Sequence, residues 1–400
     1  MKPLAGVRIA DFSWVGAGPR ATKDLADYGA TVIKVESRQR LDLGRVSPPF
    51  KNGVQHPDGS AFFAISNTSK RSVTINLADP RGVAVAKRLI EWSDVVVENF
   101  GKGYMERIGL SYETLQGIRP GIIQVSVSVA GRTGPNANLR GYGNSAAALS
   151  GLAALSGWPD RPPHMPPFAY GDVVAPIFAT IAVLAAIEHR RQTGHGQHVD
   201  VSQVEPLVHV LADRFVERQL TGEARKPGNR ASGIAPHGIY PCRGDDKWCA
   251  IAVRSDAEWS RLCEAMNSPG SASDPRFSSM ASRKANEDEL DRVVAAWSLD
   301  RDKHELAELL ASQGVPAEAV QNGREVFTDP ELAAVGHYIR TPHAVLGECE
   351  MPGPPVRFSS SEVAMGPSPL LGEHNREVFV DLLGLSEQEV ADLVTAGALS

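Results

Sequence analysis

The chain has 400 residues, 42% of them hydrophobic and 22% charged, with 37 glycines, 28 prolines and no low-complexity tract. Domains usually hold ~100–200 residues, so at least two are expected. A formal net charge of -6 and a pI near 6.0 argue against a nucleic-acid binder, which usually shows a basic domain or stripe, while leaving room for a local phosphate pocket.

The four cysteines, Cys242, Cys249, Cys263 and Cys349, form no CxxC pair, and none lies in the first half. Reduced thiols in a cytoplasmic protein fit this better than a disulfide framework or a structural zinc site. Residues 1–6 lack the apolar core of a signal peptide. The longest apolar run, 173–187, is shorter than the ~20 residues that span a bilayer, so it reads as a buried helix and no membrane partner is expected.

In chain order, residues 7–12 make a short β-type run, followed by a Gly/Pro loop at 14–19. A helical stretch over 20–28 leads through Gly29 into a strand at 31–35. Residues 72–77 alternate as a strand, and 81–92 read as a helix with Pro80 at its first position. Residues 94–98 enclose a valine triplet, as buried parallel strands do. Another helix opens at Ser111, and 122–129 is another strand. This βαβ rhythm predicts an open parallel sheet with helices on both faces. A long helix follows over 173–191, then a strand at 197–201 and a helix from Gln203.

From Lys226 the texture changes. Short strands at 238–242 and 248–253 precede amphipathic helices around Trp259, around Leu290 and over 304–310. Residues 226–325 therefore read as a smaller α+β domain. Residues 1–225 precede it, and a Pro-rich return, 326–400, ends in helices.

Gly16-Ala17-Gly18-Pro19-Arg20-Ala21 fits G-x-G-x-x-G/A between a strand and a helix, with Glu36 twenty residues after Gly16. Alone, this is a dinucleotide fingerprint, in which glycines admit a pyrophosphate and the acid holds a ribose. Residues 12–15 interrupt the usual passage from strand to glycine, and Asp11 puts a charge in a first strand that should be apolar. A plain tight turn and a different phosphate-type ligand both fit better than NAD.

Tyr170-Gly171-Asp172 precedes the long apolar helix. Asp is a preferred N-cap, and from local sequence alone that is the simpler reading. A carboxylate held ionised at a helix N-terminus is equally a candidate nucleophile for a thioester carbonyl. His189, His195 and His198 invite a metal reading, but the arginines and turn residues around them suit surface histidines, so no metal is expected.

Several segments together resemble the family III CoA transferases, the CaiB/BaiF group of formyl-CoA transferases, carnitine CoA transferases and acyl-CoA racemases. They are Ala17-Gly18-Pro19, the run from Ala26 to Glu36, Ser69-Lys70-Arg71-Ser72-Val73, and Asp94-Val95-Val96-Val97-Glu98-Asn99-Phe100. Arg107-Ile108-Gly109-Leu110, Gly131-Arg132-Thr133-Gly134-Pro135, the run from Thr193 to Asp200, and Leu371-Gly372-Glu373-His374 complete the set. No single motif is specific, but their order spans nearly the whole chain.

The resemblance implies a Rossmann-like large domain built from both chain ends, a small domain between them, and two chains interlocked as a homodimer, or paired with a related subunit. It places the nucleophilic aspartate at Asp172. It also places Val15, Gly16, Ala17, Arg38, Ile75, Asn99, Phe100, Arg107 and Arg140 at the coenzyme A site, and Tyr142 near the substrate. Coenzyme A and acyl-CoA are then substrates together with a carboxylic acid, and no prosthetic group is implied.

Two departures argue against oxalate and formate as substrates. Gly16 stands where formyl-CoA transferases have Gln, and Ala231-Ser232-Gly233-Ile234-Ala235 replaces their glycine run. The stretches 47–50 and 62–63 are similar to members that handle larger aromatic or dicarboxylic acids such as benzylsuccinate. The rival readings are a racemase on the same fold, an NAD-dependent oxidoreductase and a non-catalytic CoA-binding subunit.

Overall fold

The computed structural model describes residues 1–223 and 225–400. Two compact units emerge, one from Met1–Ala153, Met165–Gly222 and Ala334–Ser400, the other from Ala154–His164 and Glu223–Ala333.

The first unit holds a six-stranded parallel sheet: β1 (Arg8–Asp11), β2 (Thr31–Glu36), β3 (Arg71–Thr74), β4 (Val95–Glu98), β5 (Ile123–Ser128) and β6 (His198–Ser202). Their spatial order is β3-β2-β1-β4-β5-β6, and every adjacent pair runs parallel. The valine triplet of β4 is fully enclosed because helices cover both sheet faces. On one face Leu89 and Ile90 of the helix Pro80–Trp92 pack with Ile33, Val73 and Val96. On the other, Leu25 of the helix Ala17–Asp27 and Val183 of the helix Gly171–Thr193 pack with Val32, Val97 and Val125. Truncating a side chain as enclosed as Leu89 to Ala would cost about 2–5 kcal/mol.

The chain's last stretch completes this core. Val378, Phe379, Leu385 and Leu399 join the cluster around Leu89. Asn375 Oδ1 accepts from the Thr74 N–H at 2.9 Å, and the Ala398 carbonyl accepts from the Asn76 N–H at 2.9 Å, fastening the tail beyond β3.

The helix Gly171–Thr193 has 23 residues, longer than its apolar run suggested, and by length and composition it could cross a membrane. Polar residues close both ends, with Asp172 in the first turn and Arg190 and Arg191 in the last. Ile177, Ile181 and Leu184, at helical spacing, remain exposed.

The second unit carries an antiparallel sheet of β7 (His237–Pro241), β8 (Trp248–Ala252) and β9 (Ala317–Ala319). Its core gathers Trp259, Leu262, Leu290, Val294, Leu306 and Leu310 from three helices. Residues 231–234 make a tight turn closed by a bridge between Ala231 and Ile234. In the first unit, the Pro-rich return contains an unforeseen hairpin, β10 (Tyr338–His343) with β11 (Gly347–Pro352).

Candidate active site

In a parallel sheet of this order the winding reverses between β1 and β4, and ligands bind beyond the carboxyl ends of the strands at that point. A cavity of about 1100 Å³ lies there. Strand ends supply much of its wall: Trp14 after β1, Ser37 after β2, Asn99 after β4, Ser128 in β5 and Gln203 after β6.

The loop between β1 and the first helix is clamped from below. Asn99 accepts from the Trp14 N–H at 2.8 Å and donates to the Trp14 carbonyl at 2.7 Å. Val15 has φ of 65°, a left-handed backbone that costs a β-branched residue about 1–3 kcal/mol. Asp42 holds it there by accepting its N–H at 2.9 Å. Asp42 in turn pairs with Lys34 at 2.9 Å, and Lys34 donates to the Ser13 carbonyl at 2.7 Å. The charge at Asp11 in the first strand now has its reason. Its carboxylate is fully buried, pairs with Lys70 at 2.9 Å, and accepts from the Ser13 and Thr22 hydroxyls.

Asp172 sits in the first turn of the long helix, yet it does not cap that helix. Tyr170 is the N-cap, and no side chain bonds there. The Asp172 carboxylate reaches across instead, accepting from the Gly143 N–H at 3.1 Å and from the Gln203 amide at 2.9 Å. Glycines make the room. A Cβ on Gly16 would stand 2.9 Å from Asp172 Cγ, and one on Gly143 also 2.9 Å from it. Burial raises the Asp172 pKa above the ordinary carboxylate value, opposed by the Gly143 N–H, the Gln203 amide and the charge of Arg20. The result is a more basic, partly desolvated carboxylate with hydrogen-bond donors already in place, an arrangement chemically suited to an oxygen nucleophile.

Most of the expected residues meet here. Val15, Gly16, Ala17, Ile75, Asn99 and Phe100 line the cavity with Asp172, as do Arg107, Arg140 and the exposed Tyr142. Arg38 does not. It lies outside the lining, and its guanidinium donates to the Leu371 carbonyl at 3.1 Å. Arg40 takes a place on the wall, stacked over Trp14 at 5.4 Å. Among the described residues, Arg40, Lys102, Arg107 and Arg140 line the cavity without a salt bridge, four cations suited to a polyanion. The segments 47–50 and 62–63 contribute nothing to the wall. Phe63 lies instead under the Arg45 guanidinium at 3.7 Å.

Trp14, Arg40, Lys102, Ser128 and Gln203 were not foreseen. For Gln203 and Ser128 a signal existed, since both are polar residues at the carboxyl end of a parallel strand.

Glu36 is not free to hold a ribose. Its carboxylate is buried and accepts two bonds from Arg45 at 2.7 Å each and one from Ser72 at 2.7 Å. Gly18 faces Ser13, whose Cβ would be 2.3 Å from an added methyl. The glycines of the fingerprint thus accommodate protein side chains, Gly16 that of the carboxylate and Gly18 that of Ser13.

Residues 4–375 match the model of CoA-transferase family III. The chain belongs to this family. It is 36% identical over 396 residues to the succinyl-CoA–D-citramalate CoA-transferase of Chloroflexus aurantiacus, covering 98% of this chain and 97% of the relative. It is 32% identical over 405 residues to the succinyl-CoA:glutarate CoA-transferase of Mus musculus, covering 100% of this chain and 91% of the relative. The crystal structure of a CaiB/BaiF family protein from Brucella suis superimposes with a TM-score of 0.88 at 32% identity, over 95% of this chain and 99% of the other. The enzyme is a CoA-transferase, and its substrates are accordingly CoA thioesters and carboxylates.

Proposed function

We propose that this CoA-transferase works through covalent intermediates on Asp172, with dicarboxylic acids as its acyl groups. The observation that carries the reading is the Asp172 carboxylate in the cavity wall, held by the Gly143 N–H and the Gln203 amide. An Asp172 oxygen attacks the donor thioester carbonyl, the C–S bond breaks, and CoA leaves as a thiolate. The product is a mixed anhydride of Asp172 and the acyl group. The thiolate then attacks the Asp172 carbonyl carbon, the anhydride C–O bond breaks, and the first acid departs as a carboxylate. The acceptor carboxylate repeats these steps in reverse on the aspartyl–CoA thioester. Gly143 and Gln203 bond different oxygens of Asp172, so the donor on the oxygen that does not attack stays on the aspartyl carbonyl and polarises it during the thiolate's attack. Every intermediate retains an activated acyl bond, so ATP is not required, provided water is excluded.

Arg40, Lys102, Arg107 and Arg140 offer charge-assisted bonds to the phosphates and pantetheine of CoA, and Val15, Gly16 and Ala17 let the backbone approach the sulfur. The dicarboxylic class is supported by relatives named for succinyl-CoA with citramalate or glutarate.

An interlocked homodimer belongs to the same reading. The exposed Ile177, Ile181 and Leu184, with Phe215, Val216 and Leu220 on the helix Ala212–Thr221, offer apolar surface to a partner. Light scattering at high dilution should then report no folded monomer.

The covalent step is tested by incubating the enzyme with acyl-CoA and hydroxylamine and digesting it for mass spectrometry. A hydroxamate at Asp172 is expected, and Asp172→Asn should fold but not turn over. Wild-type activity in Asp172→Ala would end the proposal.

A further inference from the structure

Two side chains beneath the cavity form an ion pair that stability alone does not call for. Lys34 and Asp42 are 0% and 1% exposed, and Lys34 Nζ lies 2.9 Å from Asp42 Oδ2. Burial pulls the Lys34 pKa down, but the charges of Asp42, Asp11 and Glu36 outweigh it and raise it, so the ammonium stays protonated. Taking two charges out of water costs free energy that their attraction often only offsets, and apolar side chains of similar shape commonly fold as well. What this pair does is hold backbone. Lys34 Nζ donates to the Ser13 carbonyl at 2.7 Å. Asp42 Oδ1 accepts from the Val15 N–H at 2.9 Å and from the Gly44 N–H at 2.8 Å. The turn that leads from β1 into the first helix is thus gripped on both sides of Trp14.

Val15 is where the grip matters. Its φ of 65° lies in the left-handed region, which a β-branched side chain resists. Released from Asp42, Val15 would favour an extended or right-handed backbone, and Gly16 would turn with it. Gly16 is the residue whose missing side chain leaves room for the Asp172 carboxylate, with an added Cβ only 2.9 Å from Asp172 Cγ. Neither Lys34 nor Asp42 lines the cavity, so both act through this turn. We infer that Lys34 and Asp42 are positioning residues for the transfer reaction: they hold Val15 in its strained turn, so that the Val15–Gly16 backbone fixes the Asp172 carboxylate against the reacting thioester. The inference rests on the covalent reading of Asp172.

The test takes Asp42→Asn, close to the native shape, in which one amide oxygen must stand in for two carboxylate oxygens. Its kcat should fall by roughly tenfold or more, the factor by which such strain depopulates a turn left unheld. KM for acyl-CoA should change by less than about threefold, because the loss is felt in the reacting complex and not in binding. In a Val15→Gly background the factor lost with Asp42→Asn should shrink to about threefold or less, since glycine adopts a positive φ without an anchor. Circular dichroism checks that each variant folds. Should the amide strand the Lys34 charge and prevent folding, Lys34→Met with Asp42→Leu replaces the pair by apolar side chains and enters the same comparison. An Asp42→Asn enzyme at full speed would overturn the proposal. So would a loss of equal size with Val15 and with Val15→Gly, a loss confined to KM, or a chain that folds with neither replacement, because the pair would then serve binding or the fold at large. Hydroxylamine labelling within one turnover separates the two levels. A labelled wild type with an Asp42→Asn enzyme labelled as fast sinks the positioning role alone, whereas an unlabelled wild type sinks the covalent reading and the positioning role with it.

Discussion

Gly16 faces Asp172 so closely that a methyl group on Gly16 would lie 2.9 Å from the Asp172 carboxyl carbon and 3.0 Å from its Cβ. Real side-chain contacts do not come that near, so any larger residue at 16 must displace the carboxylate. Gly16→Ala is therefore expected to fold normally and to lose activity by about a hundredfold, the usual effect of misplacing a reacting group by about 1 Å. Circular dichroism with steady-state rates checks this, and an alanine enzyme at full speed would contradict it.

The hydrogen bond from Gln203 lowers a pKa that burial raises. Replacing Gln203 by Leu removes that donor, so the Asp172 pKa should climb further. The sign follows from the proposed covalent mechanism, in which activity needs the ionised carboxylate and falls as pH drops through its pKa. The acid limb of the rate profile should thus move to higher pH in Gln203→Leu, while the alkaline limb stays in place. An unmoved acid limb would mean that Gln203 does not act on the nucleophile.

Beneath the loop, burial pushes the Asp11 pKa up, but Lys70, Lys34 and the Ser13 and Thr22 hydroxyls outweigh it and hold the group at about 2. A depressed folded-state pKa gives stability that is present above the unfolded value of ~3.9 and is lost as pH falls toward 2. Lys70→Met strands the Asp11 charge in the interior and should cost about 3–5 kcal/mol. Urea titrations at neutral pH measure the difference, and a change below about 1 kcal/mol would show that the pair is dispensable.

Much of this was legible in the sequence because its signals are local. The valine triplet of β4 and the strand Thr31–Glu36 have the composition of buried parallel strands, and periodicity gives the helix Pro80–Trp92 directly. The hairpin Tyr338–Pro352 was hidden because prolines and glycines stand at its strand ends, where they read as loop. Asp172 illustrates the harder case. Its neighbours in sequence point to a helix cap, and only the approach of Gly143 and Gln203, 29 residues before it and 31 after it, turns the carboxylate toward the cavity. Arg38 and Arg40 are two residues apart in one loop, and no pattern says which of them faces the ligand. That choice is made by Trp14, which stacks on Arg40, and by the Leu371 carbonyl, which takes Arg38.

The same cavity separates transfer from racemisation. Inverting the carbon beside a thioester needs two proton-transfer groups, one on each face, with pKa values near the working pH. Racemases of this family are expected to place a histidine where this chain reads Gly141-Tyr142-Gly143, and no histidine occurs between His56 and His164. Among the described residues none of the cavity wall is histidine. Tyr142, half exposed at that wall, offers a phenol in place of an imidazole. With 2-methylacyl-CoA in deuterated water, the α-proton should be retained while CoA passes to an added dicarboxylate. Mass spectrometry of the recovered thioester reads both processes at once. Rapid deuterium uptake without transfer would place the enzyme on the racemase branch.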